Sequence, residues 1–285
     1  MRFSLALWAL AILPCAVRAA DVSTRQAPSY AASSLVNLAT GLPGPFAPNT
    51  LVALYGRDLS SNTAARVNGT TGSSKLPTFL GSPPVHVNIN GLFATLEYVS
   101  PEVVVFLIPA DQYPGPASIR LARNNINGPL IKILVRNLAP ALFEIETKLA
   151  FARHGSSLEA VSSLNPAAPG ETIIIYAAGL GEADRPHPPT EVPAEFLPIL
   201  NREKLLVLFD GQPVDSRSIL AAGLAEGRPG CYEIVLRLPP DVPENPEIAI
   251  TMGEGASQTG LRLPVRWPDV ETEPQPADTQ ARSNQ

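Results

Sequence analysis

Ala47-Pro48-Asn49-Thr50-Leu51-Val52-Ala53-Leu54-Tyr55 returns 121 residues later as Ala168-Pro169-Gly170-Glu171-Thr172-Ile173-Ile174-Ile175-Tyr176. Further along, Asn90-Gly91 meets Asp210-Gly211 at an offset of 120, and Pro109 meets Pro239 at 130. Ile131, Ile133, Val135 and Arg136 then meet Leu261, Leu263, Val265 and Arg266, again at 130. Order is kept while the offset drifts by about ten, as a loop insertion between Gly211 and Gly230 produces. Self-similarity of this kind means two copies of one structural unit, so any fold for the chain must be used twice.

Each copy reads as β. Val85-His86-Val87-Asn88-Ile89 alternates apolar and polar with period two, the pattern of a strand with one buried face. Asn90-Gly91 follows at once, a pair that tolerates positive φ at both centres of a type I′ hairpin turn. Leu205 to Phe209, then Asp210-Gly211, repeats the arrangement. Val103 to Ile108 is a short, continuous, β-branched run bounded by Pro101 and Pro109, which predicts a core strand buried on both faces. Short strands with turn signals between them predict an all-β chain of two tandem immunoglobulin-like β-sandwich domains, tightly joined. One short helical turn is expected at Ala221–Glu226.

Composition agrees. The 285 residues include 31 Pro and 20 Gly, and each Pro inside a helix costs about 3 kcal/mol. Charged residues make up 16% and hydrophobic residues 45%, a balance opposite to that of a disordered chain. The net charge of -5 excludes a basic nucleic-acid footprint.

The ends point to export. Arg2 followed by the apolar Phe3–Leu13 run and Val17-Arg18-Ala19 has the layout of a cleaved secretory signal, too short to span a membrane comfortably. Pro14 argues against lipidation of Cys15, and cleavage leaves Cys231 as the lone cysteine, expected as a buried, inert thiol. The domain plan is therefore signal peptide 1–20, flexible lead 21–34, sandwich 35–140, packed connector 141–164, sandwich 165–268 and a polar, disordered tail 269–285. No membrane span follows the signal, and the location implied is secreted, periplasmic or cell-surface.

Ala47 to Leu59, with Gly56 and Leu59 closing the strand, looks like the opening of IPT/TIG-type immunoglobulin-like domains. Residues 30–267 more closely resemble the Solibacter-type secreted module of unknown function. Ser100-Pro101 to Ile108-Pro109 matches one of its motifs. Asn165-Pro166-Ala167-Ala168-Pro169-Gly170-Glu171, with Tyr176-Ala177-Ala178-Gly179-Leu180-Gly181, matches another, and Gly230 to Pro239 resembles a third. The Gln and Asn typical of the first and third motifs are replaced here by Val103 and Val105, and by Glu233 and Val235. The resemblance implies the fold and export, and no activity or site residue.

Little chemistry is legible. No nucleophile elbow, phosphate loop or zinc-protease helix occurs. Of three histidines, His86 falls on the outward phase of its strand and is expected in solvent, while His154 precedes Ser156-Ser157 with no activating base nearby in sequence. Glu182, Asp184 and His187 form the densest polar cluster, and carboxylate and imidazole are both competent metal donors. Their spacing fits no established loop signature, and Pro186, Pro188 and Pro189 predict a stiff exposed loop instead. Phe93, Tyr98, Tyr176, Phe209 and Tyr232 are expected in the core, and Trp267 as a packing cap. Asn68-Gly69-Thr70 is a formal glycosylation sequon. The expectation is a non-catalytic binding or scaffolding protein without catalytic residues, cofactor or metal. Its partner would be an envelope protein or a polysaccharide, and segment 183–204 its binding loop. The rival is a carbohydrate-active enzyme or accessory module using Glu182 and Asp184.

Overall fold

A computed structural model describes residues 26–66 and 75–267. The signal, Cys15, the sequon and the tail lie outside them. The first half holds β1 (Leu35–Asn37), β2 (Leu51–Tyr55), β3 (Ala64–Ala65), β4 (Val85–Ile89), β5 (Leu92–Phe93) and β6 (Thr95–Val99). It continues with β7 (Val103–Leu107), β8 (Gly115–Arg123), β9 (Ile126–Asn127) and β10 (Ile131–Val135). One sheet runs β1-β2-β7-β6-β3; the other runs β10-β8-β4-β5, with β9 on β8. Between them lies a core that includes Val52, Leu54, Val87, Ile89, Phe106 and Ile119.

The second half is the same object. It comprises β11 (Ala141–Leu142), β12 (Glu144–Ile145), β13 (Leu149–Ala150), β14 (Ala152–His154), β15 (Thr172–Ala178) and β16 (Leu197–Pro198). Then come β17 (Leu205–Phe209), β18 (Gln212–Pro213), β19 (Ile219–Leu224), β20 (Tyr232–Arg237), β21 (Ile248–Met252) and β22 (Gly255–Ala256). Its sheets run β11-β15-β20-β19-β16, with β14 on β15, and β18-β17-β21-β22. Strands β12 and β13 pair with each other beside them.

The repeat is written into single hydrogen bonds. Phe46 bridges Val135 in parallel, and Ala167 bridges Val265 in the same way. Ile108 N donates to Thr50 O at 3.0 Å; Leu238 N donates to Glu171 O at 2.7 Å. Asn90 and Gly91 take φ of 50° and 96°, and Asp210 and Gly211 take 47° and 78°, as type I′ turns require. The drift in offset is shared by two loops. Five residues (Val214–Ser218) stand where the first copy has Ala94 alone, and Ala225–Cys231 replaces the three residues Ser100–Glu102.

Several expectations need correction. Ala221–Leu224 is strand, not helix, because pairing with β16 and β20 overrides the helical preference of alanine. Residues 103–106 alternate half-buried and buried, since only one face of this central strand meets the core of its sandwich, and Leu107 on the other face is buried against Leu76 and Val192. Residues 141–164 do more than connect: β11 and β14 are strands of the second sandwich, hydrogen-bonded to β15. Residues 26–34 are fastened, not a free lead. Ser29 bridges Arg57, and the Tyr30 hydroxyl donates to Pro129 O while accepting from Leu121 N, both at 2.7 Å.

The two sandwiches meet directly. Leu76, Leu107 and Val192 pack together with Leu51, and Ala39 packs with Ala141, Ala178 and Phe143. Leu76 N donates to Thr190 O at 2.7 Å, and Glu144 N to Ala39 O at 3.1 Å. Gly230 has φ +65°, and a Cβ there would lie 2.6 Å from Leu107 Cδ1 and 3.0 Å from Asn49 O, so only glycine permits this approach between domains.

Candidate functional site: the interdomain cleft

Where the sandwiches part, a cleft of about 570 Å³ opens. The first domain contributes Pro48, Asn49 and the β7–β8 loop with Asp111, Gln112 and Tyr113. The second contributes residues 181–193 and the 229–230 turn. All three members of the polar cluster line it: Glu182, Asp184 and His187. Only the first half of segment 183–204, up to Pro193, forms this wall, and the rest of the segment holds it through the backbone. Asp184 N donates to Pro198 O and Leu200 N to Glu182 O, both at 2.8 Å.

The side chains of that wall are partly committed. His187 Nε2 donates to Glu191 O at 2.8 Å. Arg185 lies 3.1 Å from Glu195 and 4.0 Å from Asp184, tying those two carboxylates to a cation. Asp111, Glu182 and Glu191 have no ion-pair partner among the described residues. No three His, Cys, Asp or Glu side chains among the described residues converge to hold a metal ion, so Glu182, Asp184 and His187 share a cleft without forming a ligand set.

The floor is rigid. Tyr232 is fully buried; its hydroxyl donates to Gly181 O at 2.5 Å and accepts from Asn49 Nδ2 at 3.4 Å, linking both domains beneath the cleft. Burial pushes this phenol up to about 12. Beside it, burial likewise pushes the Cys231 thiol up to about 12, which keeps it protonated and unreactive at neutral pH. Gln112 is buried, and its Nε2 donates to Tyr113 O at 2.7 Å while its Oε1 accepts no hydrogen bond. Next to it Tyr113 stands 85% exposed at the lip.

The cleft is rich in acceptors. Six of its residues are prolines, which have no N–H: Pro48, Pro114, Pro186, Pro189, Pro193 and Pro229. The His187 Nε2, one N–H each of the Asn49 and Gln112 amides and part of the Arg185 guanidinium are engaged, while the remaining N–H groups of these side chains stay free among the described residues. The unpaired carboxylates of Asp111, Glu182 and Glu191 add acceptors beside these donors, so the matching ligand presents several donors of its own.

Other sequence candidates fall elsewhere. His154 is buried between acceptors, with Nδ1 2.6 Å from Glu171 Oε1 and Nε2 3.2 Å from Asn165 O. The Glu171 carboxylate and the Asn165 backbone carbonyl together orient a structural histidine. Tyr176, Phe209 and Tyr232 are core residues, and Tyr98 is half-buried. Trp267 donates from Nε1 to Val242 O at 3.1 Å, as a packing cap does, though much of its ring stays exposed. Phe93 and His86 depart from expectation. Phe93 is 46% exposed, and His86 sits half-buried with Phe79 and Phe93 at centroid distances of 5.0 and 5.5 Å. Loss of hydration there pushes the imidazole pKa down.

No family model matches the sequence, and no curated protein matches it. Among solved structures it is similar to the SGBP-B of the Bacteroides ovatus mixed-linkage glucan utilization locus, in complex with a mixed-linkage heptasaccharide. Identity there is 15%, over 78% of this chain and 43% of that one, with a TM-score of 0.31. The Prevotella bryantii surface glycan-binding protein PbSGBP-B is 12% identical over 82% of this chain and 41% of that one, at a TM-score of 0.25. Domains 5–6 of the S-layer protein SbsC are 10% identical over 84% and 98%, at 0.24. The chain spans less than half the length of either glycan-binding protein, and none of these likenesses bears on what it binds.

Proposed function

We propose that the chain is an exported, non-catalytic binding protein, akin to the secreted modules its motifs resemble, and that it holds a hydroxyl-rich polysaccharide in the interdomain cleft. One observation carries the reading: a wall of prolines and unpaired carboxylates faces the cleft, with Tyr113 exposed at its lip. Sugar hydroxyls supply the donors this wall needs, and the tyrosine ring offers a rigid apolar surface to the C–H face of a pyranose. An extended peptide fits less well, because strand addition needs free backbone N–H groups, and prolines supply none. Anionic polymers are disfavoured by Asp111, Glu182 and Glu191. The test is an array of neutral, amino and uronic glycans probed with the purified protein and with Tyr113→Ala and Glu182→Gln. Binding to neutral or amino glycans, weakened by either change, supports the reading. Binding to acidic glycans alone, or binding unchanged in both variants, overturns it.

A further inference from the structure

The cleft does not stop at its lip. A second depression of about 320 Å³ is lined by Thr78, Phe93, Thr95, Pro109 and Thr190, and it shares Asp111 and Pro189 with the cleft. A third, of about 490 Å³, lies on the outward face of the β10-β8-β4-β5 sheet and shares Phe93 with the second. Two of the three volumes are well inside the ~300–1,000 Å³ range of small-ligand sites, and the smallest is at its lower edge. The shared residues set the three side by side, in a row that leads from the interdomain cleft onto the first sandwich.

The far end of the path has its own character. Phe79, His86 and Phe93 form a triangle of rings, with centroids 5.0, 5.5 and 5.5 Å apart. Phe79 is 49% exposed, so the aromatic cluster is offered to solvent instead of closing a core. Around it stand Asn88, Ser118, Arg120 and Asn127, which bring further side-chain donors and acceptors. The hairpin at Asn90-Gly91 fixes this surface: Asn88 Oδ1 accepts from Gly91 N at 2.9 Å, and Asn90 Oδ1 from Ser118 N at 2.8 Å. A rigid aromatic surface edged by amides and a guanidinium pairs apolar contact with both hydrogen-bond senses, as a sugar ring demands.

We infer that the site is extended: a glycan chain seated in the cleft runs past Asp111 and over Phe93, and a further sugar stacks on the Phe79–His86–Phe93 surface. The inference rests on the polysaccharide reading of the cleft. It requires affinity to rise with chain length, because each sugar beyond the cleft binds at high effective concentration once the first is seated. Titration calorimetry with a disaccharide and an octasaccharide of the array-positive glycan reads this directly. The expected result is an octasaccharide bound at least about ten-fold more tightly than the disaccharide. In Phe79→Ala/Phe93→Ala that advantage disappears while disaccharide affinity stays at the wild-type value; the lost ring packing lowers the melting temperature, and the retained disaccharide binding shows that the cleft keeps its fold. Equal affinity for the two lengths, or an advantage surviving the double substitution, overturns the extended site and leaves the cleft reading standing. Binding of a basic peptide along the same path, with no glycan bound at any length, overturns both.

Discussion

Gly230→Ala tests whether the two sandwiches form one body. The added methyl meets two costs. At φ +65° an L-residue is strained by about 1–2 kcal/mol. The Cβ also falls 2.6 Å from Leu107 Cδ1, 3.0 Å from Asn49 O and 3.2 Å from Leu51 N, all in the other domain. Two of these neighbours are backbone, which cannot rotate away, and overpacking of this kind costs about 1–3 kcal/mol. The total is about 2–5 kcal/mol, directed at the interface. Gly227 supplies the control: it has φ +70° with nothing within 4 Å of where an added methyl would lie, so Gly227→Ala bears the strain alone. Denaturant unfolding with small-angle scattering reads both variants. Gly230→Ala should lose stability beyond Gly227→Ala and expand or split its transition, as the domains separate. Equal losses in the two variants, with unchanged scattering, would refute a tight junction at this turn.

Further outcomes follow from Tyr232, Cys231 and His154. Tyr232→Phe removes the donor to Gly181 O and should cost about 1–3 kcal/mol in equilibrium unfolding, with the cleft wall at 181–187 loosened in hydrogen exchange; a neutral substitution contradicts the assigned bond. Because burial raises this phenol from 10.0 to about 12, its contribution is complete below pH 10 and is lost as pH rises from 10 to 12. Wild type should therefore weaken by about 2–3 kcal/mol over that range more than Tyr232→Phe does. Cys231 should react with a thiol reagent at pH 8 roughly a hundred-fold or more slowly in the native protein than in the unfolded chain, and comparable rates would contradict its raised pKa. His154→Ala leaves Glu171 Oε1 without its partner and should cost about 1–3 kcal/mol, with no effect on glycan binding.

The duplicated sandwich was legible because its signals are local. Alternation in 85–89, the Asn-Gly and Asp-Gly turns, and strand-bounding prolines each act within a few residues. Residues 141–164 escaped for the opposite reason: β11 and β14 are two and three residues long, too short to show a period, and exist through pairing with β15. Phe93 follows a turn directly, where two strand residues cannot reveal which face is buried. Glu182, Asp184 and His187 were visible as a polar cluster, but the cleft was not. Its other wall comes from Asp111, Gln112 and Tyr113, about seventy residues earlier, and no local pattern announces that a loop of one copy will face a loop of the other.

Hydrogen exchange of the full protein, with and without a saturating array-positive glycan, tests the binding cleft most directly. Protection should appear together on 110–113 of the first domain and 182–191 of the second, walls that only a ligand between the domains can cover at once. Protection confined to one domain, or falling on neither segment, would contradict it.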